Sequence, residues 1–466
     1  MPLRPIVFLK KVYIILLACT ILLIWGHTMD FLISVFIFMT FLIFSLIKNI
    51  SILIPLIIGM LAFSITAFNR GYTFKSIYKM ILKGMKKALL LIPIFALIGI
   101  ITATWRASGT IPFFVYYGTK LMNPDYFILF AFLLSCLVSF ALGTSFGTVG
   151  TIGVVLIVLA KGRGVNVSIA AGAIISGAFF GDRCSPTSSS ANLVAAVTGT
   201  NLYDNIKRMF ITGILPFVAT VIIYFVLSKQ SPMKINESTL LDEISFYFDL
   251  SILTVFPAVI IFLLAFFRKN VKTSMFFSII AAIFVCLFIQ KMDITEIIKT
   301  MILGFKLNSD REIAQIISGG GLLSMVNVLL IVLIASSYSG IFEETGMLND
   351  IQGILKKMSN KIGIYLTTLF ISLVTGAFFC NQTLPVLLTY QLMNKIYIEK
   401  GLTKKDIAID IENTAIMTSE LFPWSIAIAV PLATLSATPA SIPYAVYLYL
   451  VPLLNIFKPS LSQSGK

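Results

Sequence analysis

Two acidic residues draw attention through the company they keep. Asp182 sits in GAFFGDRCSPTSSSANL and Glu420 in ENTAIMTSELFPWSIAI, stretches rich in Ser, Thr, Asn and Pro set among long apolar runs. A carboxylate at the centre of a membrane helix costs about 2.5–3.5 kcal/mol on insertion scales, so one that persists there marks a pathway or a charge pair. Asp182 is expected to bind a cation or carry a proton, unless its neighbour Arg183 neutralises it. Glu412 precedes Glu420 by about two helical turns. Glu343 and Glu344 read as solvated residues at a helix end.

The surrounding residues supply ligands for such a site. Gly143, Thr144, Ser145, Gly147 and Thr148 form one cluster, and Ser185, Pro186, Ser188, Ser189 and Asn192 follow Asp182. The second half offers Asn381, Gln382 and Thr383, then Asn413, Thr418, Ser419, Pro423 and Ser425. Carbonyls and hydroxyls are hard oxygen ligands suited to a cation, and the N-terminal end of a half-helix suits a carboxylate. Gly143, Gly147, Gly181, Pro186, Gly376 and Pro423 are the expected helix breaks. The plainer alternative is that small residues only let helices pack closely.

Such breaks have meaning only within a membrane, where freed backbone is tolerated if it is buried in protein or lines a cavity. The chain has 466 residues, 58% of them hydrophobic and 12% charged, and a mean hydropathy of +0.98. The composition predicts an all-α polytopic membrane protein with discontinuous transmembrane helices. Apolar runs long enough to span a bilayer are Ile50–Phe68, Ala88–Thr104, Phe127–Leu142, Met209–Leu227, Ile252–Phe267, Ser274–Ile289, Leu322–Ile341, Ile362–Phe378 and Ile442–Phe457. With Val12–Trp25, Phe31–Leu46 and the interrupted segments, roughly ten to thirteen crossings are expected. Lys10–Trp25 resembles a signal peptide, with a basic flank and a short apolar core, but lacks a clear cleavage site, so it reads as a retained first helix.

The net charge of +15 belongs to loops and reflects orientation rather than nucleic acid. RGYTFKSIYKMILKGMKK is expected on the cytoplasmic side, with a surface-lying amphipathic helix as the alternative. NKIYIEKGLTKKD is the second basic loop.

The two halves match. SGTIP at Ser108 aligns with TGMLN at Thr345, and Pro186 with Pro423, each at an offset of 237; Gly143 aligns with Gly376 at 233, across a gap of about four residues. A duplicated membrane domain follows, too long in period for a solenoid. The expected organisation is 1–87 as N-terminal helices with a basic loop, 88–228 as the first transport repeat, 229–321 as linker and connecting helices, and 322–466 as the second repeat. Paired interruptions point to the substrate site of a secondary transporter.

Other chemistries find no support. His27 is the sole histidine, which excludes a His-based triad or multi-His metal site. The five cysteines are scattered, with no disulfide framework. No phosphate loop is present, and GTVGTIG lacks the strand–helix context of a dinucleotide site. No cofactor and no metal centre are expected, and neither an intramembrane enzyme nor a channel fits the residues well. The partners expected are the bilayer, a small cation or small organic solute, no nucleic acid, and, as an open alternative, a second copy in a homodimer.

At these residues the sequence resembles the NhaC family of sodium–proton antiporters. GTSFGTVGTIG looks like its GTSWGT-type stretch. GAFFGDRCSPTSSSANL looks like its GAxFGDKxSPxSDTTNL region, and ENTAIMTSELFPWS its ED-S-G-x-x-TS-x-x-x-PWN region. The resemblance implies inverted structural repeats in a bacterial plasma membrane, with Na+ and H+ as the transported or coupling ions. Three family carboxylates are neutral here: Ser189, Asn381 of the Asn381–Gln382 pair, and Asn413 after Glu412. The resemblance makes cation–proton antiport the first reading, while the neutral amide and hydroxyl groups weaken it and suit an organic solute. An ion-coupled carrier of a small organic solute, an amino acid or a carboxylate, is the second.

Overall fold

The computed structural model describes residues 29–457 apart from 49, 90–91, 122, 233–236, 268, 310, 346–351 and 380. Val12–Trp25, Cys19, His27 and Cys380 lie outside the described residues. In chain order the helices are α1 Met29–Lys48, α2 Leu53–Asn69, α3 Phe74–Leu89, α4 Ile92–Ala107, α5 Thr110–Leu121, α6 Phe127–Leu142 and α7 Ser145–Gly162. There follow α8 Val167–Cys184, α9 Ser189–Thr198, α10 Leu202–Gln230, α11 Glu237–Tyr247, α12 Phe256–Phe266, α13 Val271–Phe288, α14 Ile294–Leu303 and α15 Glu312–Ile317. The last seven are α16 Val326–Thr345, α17 Gln352–Ile362, α18 Ile364–Phe378, α19 Thr383–Glu399, α20 Lys404–Leu421, α21 Ile426–Thr434 and α22 Val446–Leu454. Among the described residues six helices are long and apolar enough to cross a membrane, or up to nine if each sharply bent pair is one crossing, with shorter apolar helices beside them.

Polarity is distributed as a bilayer requires. Along α10, Ile211, Ile214, Leu215, Val218 and Ile222 are exposed on one side, while Asn205, Thr212, Thr220 and Ser228 are buried. Apolar surface faces outward, and Thr212 and Ser228 meet Arg183 of α8 and the Leu129 N–H of α6. Apolar runs alone find α10 easily and α7–α9 poorly. The span Val167–Thr198 is 83% buried and that of α10 only 28%, so the interior spans can exchange apolar residues for Gly, Ser and Thr. Three expected spans carry 3-10 turns, and Leu322–Ile341 starts with one at Leu322–Met325. Ile252–Phe267 divides into a 3-10 turn at Ile252–Val255 and α12, and Ile442–Phe457 contains α22 between 3-10 turns.

Close backbone contact fixes α6 against α8. A Cβ on Gly181 would lie 2.1 Å from the Ser139 carbonyl carbon, and one on Gly177 2.5 Å from the Phe132 carbonyl oxygen. The Ser139 hydroxyl donates across the contact to the Ala178 carbonyl. Gly181 is thus a packing residue inside α8, and Gly147 and Gly376 likewise lie inside α7 and α18. The expectation that these three break helices is corrected. Gly143, Pro186 and Pro423 do stand at interruptions. Gly143 caps α6 in the left-handed region at φ 67°, where a side chain is strained. Pro186 lies between α8 and α9, and Pro423 between α20 and α21.

The helix starts recur in register. α18, α20 and α21 begin 237 residues after α6, α8 and α9 (364 − 127, 404 − 167, 426 − 189), and α19 begins 238 after α7 (383 − 145). No gap is needed, and the alignment of Gly143 with Gly376 is a misregistration. Directions are also opposed. Tyr224 bonds Ser176, and Arg183 bonds Thr212, so α8 runs toward the start of α10. α20 begins at that same end, where Lys405 pairs with Asp204. The two equivalent helices run antiparallel, which supports an inverted repeat.

Helices α1–α3 and α16 form a second apolar cluster that holds the second interruption. Trp424 donates its indole N–H to the Ala377 carbonyl at 2.7 Å and packs edge-on to Phe38. The basic helix α3 seats on α16 at Gly84 and Gly340, whose backbones meet too closely for a side chain on either. Lys83 of α3 pairs with Glu344, which is exposed at the end of α16 as expected.

Candidate functional site

The interruptions bring parts of both halves onto Asp182. Its carboxyl lies near the end of α8 and is 5% exposed. Asp182 Oδ2 accepts from Ser190 Oγ at 3.1 Å and from Gln382 Nε2 at 3.4 Å. Ser190 Oγ lies 2.7 Å from Gln382 Oε1. Gln382 Nε2 reaches Glu420 Oε1 at 2.8 Å and the Ile416 carbonyl at 3.3 Å. One amide therefore joins two carboxyl groups from opposite halves of the chain. A serine carries one hydroxyl proton, so Ser190 serves either Asp182 or Gln382 at any moment.

Arg183 points elsewhere. Its guanidinium donates to Asn413 Oδ1 at 2.5 Å, Thr212 Oγ1 at 3.0 Å, Tyr447 Oη at 3.2 Å and the Met209 carbonyl at 3.3 Å. Gly213 makes room for it, since a Cβ there would stand 2.9 Å from Nη1. Asp182 is in no ion pair among the described residues, so the alternative that Arg183 neutralises it does not hold.

Glu412 is fully buried, and neither carboxyl oxygen has a hydrogen-bond partner. Arg183 and Asp182 are the charged groups that act on it. Glu420 Oε2 and the Thr418 hydroxyl are likewise buried without partners. Of three buried carboxyls, Asp182, Glu412 and Glu420, only Glu412 thus has a guanidinium acting on it. Burying unpaired charge is costly, so the excess must be met by protons or by a cation. The three do not converge into a cage for a metal ion among the described residues. A bound cation would rest on one carboxyl with hydroxyl, amide and carbonyl oxygens.

The remaining candidates divide by position. Ser188 caps α9 and donates to the Asp182 carbonyl. Thr144 caps α7, and Thr148 bonds its carbonyl at 2.8 Å. Ser185 donates to the Phe140 carbonyl at 2.7 Å, tying the first interruption to α6. Ser419 bonds the Ala415 carbonyl at 2.6 Å, Asn381 caps the turn into α19 through the Leu384 N–H at 2.9 Å, and Asn413 holds Arg183. Asn192 reaches back to the Ser188 carbonyl at 2.6 Å, and Ser189 is exposed; neither bonds Asp182. Sequence reasoning missed Ser190, whose hydroxyl does bond it.

Ser189 instead lines a cleft of about 460 Å³ that also includes Gly143, Thr144, Thr187, Lys269, Asn270 and Lys272. The starts of α7, α9 and α13 all border it, and no acidic residue does.

A family model for the Na+/H+ antiporter family matches residues 7–191 and 177–457. The chain belongs to the Na+/H+ antiporter family. It is 29% identical over 394 residues to an uncharacterised Na+/H+ antiporter of Haemophilus influenzae, covering 81% of this chain and 84% of the relative. It is 28% identical over 409 residues to the Na+/H+ antiporter NhaC of Alkalihalophilus pseudofirmus, covering 86% and 88%. It is also 28% identical over 392 residues to the malate-2H+/Na+-lactate antiporter of Bacillus subtilis, covering 82% and 83%.

Proposed function

We propose that this protein exchanges sodium for protons across a bacterial plasma membrane, holding one or the other at Asp182. The observation that carries this reading is the excess of buried carboxyls over guanidinium at the crossing of the two repeats. Protonated, Asp182 donates to Ser190, which then turns its own proton to Gln382 Oε1. Ionised and bound to sodium, Asp182 shares the ion with hydroxyl and amide oxygens while Gln382 stays bonded to Glu420. Proton and cation compete for one group, which is the minimal requirement of an exchanger. The antiparallel repeats supply the alternating access, one rocking against the other about a site near the midplane. No organic cofactor enters this scheme.

One observation favours a second reading, an ion-coupled carrier of a small organic carboxylate. The cleft beside the first interruption has two lysines, three helix N-terminal ends and no acid, and a relative is named for malate and lactate exchange. The test is proton movement, reported by a pH-sensitive dye, in proteoliposomes of the purified chain. Sodium, lithium or potassium is added first without organic solute, then with malate or lactate. Sodium-evoked proton movement without solute is the expected result. Movement only when solute is present would replace the first reading with the second.

A further inference from the structure

A second acidic side chain, outside the site just described, stands at the head of a hydroxyl track leading to it. Asp410 lies on α20, about one turn inward from Asp406. Asp406 pairs with Arg208 at 3.0 Å near the basic 400–405 end. Asp410 is half-buried, and its Oδ2 accepts from Tyr397 Oη at 2.6 Å. Tyr397 Oη lies 2.9 Å from Thr368 Oγ1. One turn further along α18, Ser372 lies 3.0 Å from Thr414 Oγ1 and 3.4 Å from Thr389 Oγ1.

On α20 the residues Asp406, Asp410, Thr414 and Thr418 recur every four positions, the spacing that stacks side chains along one helical face. Thr414 and Thr418 are buried, as are Thr368, Ser372 and Thr389. The track ends where Gln382 bonds the Ile416 carbonyl and Glu420. There the Thr418 hydroxyl and Glu420 Oε2 are buried without partners. An orphaned carboxyl oxygen at that depth requires a proton or a cation.

We infer that this track is the proton route between the 404 end of the molecule and the Asp182–Gln382–Glu420 site, with Asp410 and Tyr397 as its outer station. The inference rests on the sodium–proton reading and adds the path by which the proton arrives. The track suits protons rather than sodium. Its hydroxyls bond one another in pairs, and no group of acidic side chains gathers along it to hold a cation among the described residues. Each hydroxyl can accept a proton on a lone pair and pass its own onward, so the chain returns to its starting composition after each transfer. The steps from Thr368 to Ser372 and from Thr414 to Thr418 are single helical turns, about 5–6 Å between Cβ atoms, and the route requires one water at each. Asp410 can take up and release a proton, whereas an amide there cannot. The titratable and charged groups around it are Tyr397 of α19, Tyr365 of α18, Asp406 of its own helix and Arg208 of α10.

The test compares two activities of the full-length chain in proteoliposomes. Sodium-evoked proton movement needs the route; exchange of radioactive for unlabelled sodium at equal pH does not. Asp410→Asn and Tyr397→Phe are expected to slow sodium-evoked proton movement, Asp410→Asn by roughly a hundredfold, the scale of a lost proton-transfer group. Both are expected to keep sodium–sodium exchange. Asp410→Glu is expected to restore proton movement with a displaced pH profile. An Asp410→Asn protein with wild-type proton movement and an unchanged pH profile overturns the route. So does loss of both activities in Asp410→Asn and Asp410→Glu alike, which would make Asp410 structural. A wild-type chain that exchanges sodium but moves no protons overturns the sodium–proton reading itself, and the route with it.

Discussion

The two interrupted spans begin 237 residues apart in the chain and behave differently. The first, α8–α9, continues as one span across Ser185–Ser188; the second, α20–α21, bends by 54° across Phe422–Ser425. Pro186 and Pro423 match at 237 residues, but on that register Asp182 faces Ser419, and Arg183 faces Glu420. The breaks in the backbone recur at matching places, while the charges beside them differ. The first half contributes a carboxyl free of any ion pair and a guanidinium satisfied by amide, hydroxyl and carbonyl oxygens. The second contributes two carboxyls with orphaned oxygens and the amide that joins the halves. The site is therefore asymmetric in chemistry although its frame is repeated.

The sharpest break of that comparison is Asp182→Asn. It keeps the volume and removes the group that alternates between proton and cation. Sodium–proton exchange should fall roughly a thousandfold, while the protein still inserts and elutes as a single species on gel filtration. Next come the register-matched residues Arg183 and Glu420. Arg183→Gln strips Glu412 of its nearby countercharge and should lower stability by about 3–5 kcal/mol, read as a drop in the unfolding midpoint in detergent. Glu420→Gln should leave that midpoint in place and depress exchange. If both variants merely unfold, the division into a structural and a functional member fails.

Smaller effects separate packing from ligation. Gly181→Ala drives a methyl into the α6 backbone and should cost about 1–3 kcal/mol. Gly376→Ala meets the Phe422 ring at 3.1 Å, which can yield, and should cost less in the same unfolding assay. Ser190→Ala should weaken apparent sodium affinity about tenfold, the scale of a lost supporting contact at an ion site. Its neighbour Ser189→Ala should leave sodium dependence in reconstituted exchange as it is.

Much of this was legible in the residues. The prolines and the Ser/Thr-rich stretches marked the interruptions, and Asp182 stood out as a carboxylate in apolar sequence. What escaped depended on which way a helix turns. Ser189 and Ser190 are adjacent and alike in type, yet about 100° of helical rotation sends one to the cleft and the other to Asp182. Arg183 followed Asp182 in sequence and so invited pairing, but successive side chains on a helix diverge. Asp410 lies just past the NKIYIEKGLTKKD stretch that read as a basic loop, and only the packing of α18 and α19 shows it facing Tyr397. Gly376 was matched to Gly143 by type. The caps and helix starts give the true register, because they record where the chain changes direction.

Equilibrium binding of radioactive sodium to the purified protein, measured across pH for the wild-type chain and Asp182→Asn, tests the central claim most directly. If proton and sodium compete for Asp182, wild-type binding is saturable and weakens as pH falls, because the carboxyl must lose its proton before the ion binds, and Asp182→Asn binds little at any pH. Sodium binding by Asp182→Asn that matches the wild type, or wild-type binding indifferent to pH, would contradict it.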